Sequence, residues 1–176
     1  MNVVALALFG VTSATLFAQK EPDRQKRELD EMLSAVMPFA KQMLEKHGEF
    51  YPYGASMSTE GKISSVGGYT GSEHPKSTEL IDMLKSAFRR DANAGKIRAC
   101  AVVYDIRVVP PGQTQRTDAV KVDLDHRDGA SIVVVYPYVI APDKSVAFGQ
   151  SFAEKGKNTI FQAVPEPGPE SRAEHP

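Results

Sequence analysis

The stretch Ala119-Val120-Lys121-Val122-Asp123-Leu124-Asp125-His126-Arg127-Asp128-Gly129 decides how this chain is read. Val120, Val122 and Leu124 alternate with Lys121, Asp123 and Asp125, the two-residue period of a strand with one apolar and one polar face. His126 continues the apolar series, which predicts a hydrogen-bonded histidine at the edge of a core. Asp128-Gly129 signals a two-residue hairpin turn. The nearly continuous apolar run from Ile132 to Ile140 then reads as the returning strand, with Pro137 demanding an edge position or a bulge.

Working outward, the run from Ile97 to Val109 predicts a long strand closed by Pro110-Pro111-Gly112. Further upstream, two strand-like runs at 50–58 and 62–69 are joined by Thr59-Glu60-Gly61, the spacing of a hairpin. Between 23 and 47, Leu29, Met32, Leu33, Val36, Ala40, Met43 and Leu44 recur at three- and four-residue steps. They predict an amphipathic helix that Gly48 stops and Pro38 kinks or divides. A second helix is expected to start near Pro75 and to end at Asn93-Ala94-Gly95, with Leu80, Ile81, Leu84, Ala87 and Phe88 as its stripe. Residues 145–161 are expected to add a short strand or a packed extension. The order α-β-β-α-β-β-β predicts an α+β fold: one mostly antiparallel sheet of about five strands with two main helices on one face or both.

The two ends of the chain read differently from this middle. Val3 to Ala18 is apolar or small and carries no charge, and Lys20-Glu21-Pro22-Asp23 is abruptly polar. The run is short for a membrane span, which takes about 20 residues, and suits an export signal at 1–18. A retained anchor or a buried N-terminal helix is the alternative, since no Lys or Arg precedes the run. Residues 22–161 form the expected single domain. Residues 164–176, with Pro165, Pro167, Pro169 and Pro176, read as a disordered tail.

With 21 basic and 22 acidic side chains the formal net charge is −1. No long-range field draws the chain to nucleic acid or to anionic lipid, so neither is an expected partner. Cys100 is the single cysteine and falls in a predicted buried strand, where a thiol acts as a small hydrophobe.

Several strings taken together resemble an uncharacterised family of small bacterial proteins. They are Glu49-Phe50-Tyr51-Pro52-Tyr53-Gly54-Ala55, His74-Pro75, Val103-Tyr104-Asp105-Ile106-Arg107-Val108, Thr117-Asp118-Ala119, and Leu124 to Gly129. The resemblance covers roughly residues 29–161 and implies no activity and no catalytic residues. The order of elements resembles the roadblock/longin and profilin-like topologies, which implies an interaction or sensing platform, although fold does not determine function.

Three constellations merit weighing. Asp123, Asp125, His126 and Asp128 crowd one strand end, but they lack the ligand spacing of a calcium loop and no metal or other cofactor is expected. Lys121, Arg127, Asp105 and Arg107 are expected to join these acids in a solvated ladder of charge pairs. Glu73-His74 puts a carboxylate beside a histidine at a helix start. This is either a helix-capping arrangement or an acid–base pair, which makes Glu73, His74 and His126, with Asp125, the catalytic candidates of a small hydrolase. Tyr51 and Tyr53 would share one face of a strand, and with Glu73 and His74 they form the candidate binding surface for an unknown protein or small molecule. The leading expectation is an exported binding or interaction domain without an evident catalytic site.

Overall fold

The computed structural model describes residues 20–161, with side chains from Arg24 onward. The expected signal segment and C-terminal tail lie outside the described residues. Two helices and seven strands form an α+β fold: α1 (Lys20–His47), β1 (Tyr53–Ser58), β2 (Ile63–Gly67), α2 (Ser77–Asn93), β3 (Ile97–Val108), β4 (Thr117–His126), β5 (Ser131–Ile140), β6 (Val146–Phe148) and β7 (Phe152–Lys155). Every strand pairing is antiparallel, in the order β2-β1-β3-β4-β5-β6, and β7 also pairs with β5. Residues 145–161 thus contribute two short strands, where a five-stranded sheet was expected.

Strand alternation sorts the side chains into two cores. Ala99, Ala101 and Val103 of β3, with Val120, Val122 and Leu124 of β4, pack under the Leu29, Met32, Val36, Ala40 and Leu44 stripe of α1. On the opposite face Cys100 and Val102 meet Leu84 and Phe88 of α2. The helices therefore split between the faces. Each buried leucine or valine of these stripes contributes about 1.5–3 kcal/mol by leaving water.

The prolines are accommodated by where their missing donors fall. Helix α1 runs through Pro38 without ending. The carbonyl that loses its partner belongs to Ser34, on the exposed side of the helix. In β5, Pro137 sits between the stretch paired to β7 and the stretch paired to β6. Its carbonyl accepts from the Gly149 N–H on that outer side, so the ring displaces no bond to β4.

The two hairpins expected from the sequence, β1–β2 and β4–β5, use three-residue loops. Ser58 N–H donates to Lys62 O across Thr59-Glu60-Gly61, and His126 N–H donates to Ala130 O across Arg127-Asp128-Gly129. Each loop ends in a glycine at positive φ, 93° and 96°, as a three-residue loop requires. The β4–β5 turn is thus one residue longer than Asp128-Gly129 alone suggests. No helix among the described residues is long and apolar enough to cross a membrane.

Candidate functional site

The aromatic pair read from the sequence separates. Tyr53 opens β1 and turns into the α1 core, where Phe39 and Phe50 meet it edge-on and its hydroxyl donates to Val36 O at 2.7 Å. Tyr51 precedes the strand and is half exposed. Its hydroxyl reaches Glu73 O at 3.4 Å and His74 Nδ1 at 3.5 Å, both long for hydrogen bonds. Tyr51, Glu73 and His74 thus share an exposed patch that Tyr53 does not join. Helix α2 starts at Ser77 rather than near Pro75, and its N-cap Lys76 supplies no side-chain cap. Ser72 instead accepts the His74 N–H within the loop.

His126 lies far from that patch. It is level with Ala99, which is level with Met57, whereas Tyr53 is level with Val103. Four residues of strand, roughly 13 Å, separate these levels, and Tyr51 lies beyond Tyr53. Asp125 projects to the opposite face from His126, so the sequence candidates Glu73, His74, His126 and Asp125 do not converge.

His126 instead belongs to a sealed charge network. Its Nδ1 accepts the Asp128 N–H at 3.1 Å, which leaves the ring proton on Nε2 for donation to Glu28 Oε2 at 2.9 Å. The other oxygen of Glu28 pairs with the Arg98 guanidinium at 2.8 Å, and Arg98 also donates to Thr59 O. The Glu28 and His126 side chains are 5% and 0% exposed, so no substrate reaches them. Glu28 and Arg98 were not singled out in the sequence. The one signal of Glu28 is its place beside Leu29, one residue off the apolar stripe.

The accessible site lies on the other face. Helix α2 packs mainly against β1 and β3 and does not extend over β5. A groove of about 420 Å³ opens there, floored by β3–β5, with Lys85 of α2 on one side and residues 154–160 on the other. The segment after β7 forms a strap over the sheet. Asp125 accepts from Ser131 Oγ at 2.6 Å and from Ile160 N–H at 3.2 Å. Ser131 Oγ accepts in turn from Asn158 N–H. Gly156 lies so close that a Cβ there would overlap the Ser131 hydroxyl.

Asp123 occupies the centre of the floor. Its Oδ2 accepts from Tyr104 OH at 3.0 Å and from Lys85 Nζ at 3.2 Å. Lys121 Nζ stands 3.6 Å from Oδ1 and 5.4 Å from the centre of the Tyr104 ring. Burial and the adjacent Asp123 charge hold the Tyr104 hydroxyl protonated, well above its ordinary range. Burial likewise pushes the Cys100 thiol far up, so no thiolate forms at the groove floor.

No family model matches the chain, and no curated protein or solved structure matches it. The resemblance drawn from the sequence strings therefore brings no activity to this groove.

The expected solvated charge ladder is thus corrected in two respects. Asp105 is level with Val120, so it faces α1, where Tyr138 OH donates to it at 3.0 Å; Arg107 pairs with Asp118. Asp125 is buried, and Asp123 is engaged by two lysines and a phenol. Among the described residues no three His, Cys, Asp or Glu side chains gather as metal ligands would.

Proposed function

We propose that this protein is a non-catalytic binding domain, acting outside the cytoplasm, whose ligand site is the groove beneath the 156–161 strap. The observation that carries the reading is the groove itself. Its volume of about 420 Å³ falls in the range of small-molecule sites, roughly 300–1,000 Å³. Its floor combines apolar surface from Val102 and Val133 with the converging polar groups of Tyr104, Lys121 and Asp123. A concave site of this kind favours a small molecule over a protein partner. Two groups suited to acid–base or nucleophilic work are unavailable to the groove: both ring nitrogens of His126 are bonded inside the protein, and Cys100 is held as the thiol. The uncharged apolar run from Val3 to Ala18 supports export.

The binding reading is tested by ¹⁵N NMR of the full chain against a library of neutral, cationic and anionic fragments. Shifts clustered at Tyr104, Lys121, Ser131 and Asn158 are the expected result. A library that moves only residues outside the groove would overturn the assignment. Mass spectrometry of protein recovered from cell fractions tests export. The expected product lacks about the first 14–18 residues, and an intact Met1 in the cytosolic fraction alone counts against it.

A further inference from the structure

We infer that the groove takes a small organic anion, its carboxylate or phosphate oxygens seated between the ammonium groups of Lys85 and Lys121. The inference rests on the groove being the ligand site and names what that site selects.

Two ammonium groups, those of Lys85 and Lys121, share the single carboxylate of Asp123. The second acid of the floor, Asp125, keeps its charge and turns both oxygens to Ser131 and Ile160, but over the whole lining the four lysines Lys85, Lys121, Lys155 and Lys157 outnumber the three acids Asp123, Asp125 and Glu154 by one. The two lysines are also unequally satisfied. Lys85 donates one hydrogen bond to Asp123 Oδ2. Lys121 is three-quarters buried, yet among the described residues its ammonium makes no direct hydrogen bond. Asp123 Oδ1, at 3.6 Å, is beyond hydrogen-bonding reach and is itself without a hydrogen-bond partner. An ammonium with unused donors at the groove surface is matched best by an oxyanion, whose charge-assisted hydrogen bonds are the strong ones.

The surroundings hold this cation ready. Tyr104 lies under the ammonium and donates to Asp123, which keeps the carboxylate turned toward the lysines. Val102 and Val133 supply apolar surface beside the charge, which suits an organic anion better than an inorganic one.

The experiment is an NMR titration of the full chain with matched one-ring probes: benzoate, phenyl phosphate, benzamide and benzylamine. Benzoate or phenyl phosphate is expected to shift Tyr104, Lys121 and Ser131 and to bind at least about tenfold more tightly than benzamide. The tighter of the two anions assigns the ligand as carboxylate or phosphate. Lys121→Met, which keeps the apolar stem, is expected to remove about tenfold of the anion affinity while benzamide affinity stays unchanged; Lys85→Met serves as a second variant should the first misfold. Benzamide or benzylamine binding in the groove as tightly as the anions would overturn the charge assignment and leave the groove standing as a site. Anion affinity unmoved by either variant would do the same. No probe shifting any groove residue counts against both readings.

Discussion

Glu28 Oε2 lies 2.9 Å from His126 Nε2, joining α1 to the last residue of β4 across 98 positions of the chain. The contact is fully enclosed, and Arg98 on β3 neutralises the carboxylate from its other side. It pins the start of the first helix to the sheet end where the β1–β2 and β4–β5 hairpins turn, because Arg98 also reaches Thr59 O and Asp128 donates its backbone N–H to the same histidine.

Removing Glu28 is therefore expected to cost more than a surface ion pair. Glu28→Ala leaves the buried His126 N–H without its acceptor and the Arg98 guanidinium without its carboxylate, and unfolding in urea should show a loss of about 3–5 kcal/mol. A loss below 1 kcal/mol would show that water replaces the carboxylate. Lys26→Ala, which breaks an exposed pair with Asp30, should change stability by less than about 0.5 kcal/mol.

The two tyrosines near the start of β1 should separate in the same measurement. Tyr53→Phe deletes the hydroxyl that satisfies Val36 O in the core and is expected to cost about 1 kcal/mol. Tyr51→Phe removes only long, exposed contacts and should be neutral. Equal effects would contradict the placement of Tyr53.

The strap offers a local test. Asp125→Ala strips the acceptor from Ser131 and Ile160, so amide exchange at Asn158 and Ile160 should accelerate well beyond that in β3. Gly156→Ala drives a methyl against the Ser131 hydroxyl and should destabilise by about 1–3 kcal/mol. Strap amides that keep wild-type protection in both variants would show that Asp125 and Gly156 do not hold it.

Asp105 should give a pH signature. Burial raises its carboxyl above the ordinary range, with the Tyr138 hydrogen bond opposing in part. The folded state therefore binds a proton that the unfolded state has released. This contribution is complete below the unfolded value and is lost as pH rises through the folded one. Asp105→Asn lacks it, so the stability of wild type relative to Asp105→Asn should rise as pH falls through the carboxylate range. Urea unfolding at pH 7.5 and pH 4 measures this. A difference independent of pH would show that Asp105 titrates alike in both states.

Much of the fold was legible in the order of residues because the signals are local. The alternation from Val120 to Leu124 is a strand's own period, and the Leu29–Leu44 stripe is a helix's own. Together they point to the α+β class and put His126 on the apolar side. Boundaries shifted where a backbone group was missing or its partner was distant. β1 starts only after Pro52, and α2 starts past Pro75. The short strands β6 and β7 form because the outer edge of β5 is there to receive them.

The site was decided by the tertiary structure alone. Lys121, Asp123 and Asp125 look like any solvated strand face until α2 covers one side of that face and the strap borders the other, leaving a groove between them. Glu28, Arg98 and His126 come from three separate elements, and no spacing rule links them. Periodicity determined which way each side chain points, since it follows from the backbone repeat. Which charges meet, and which one is left holding unused donors, depended on the register of β3 on β4 and the path of the chain after Lys155. Those are long-range pairings, set by burial and chain closure rather than by neighbours in sequence.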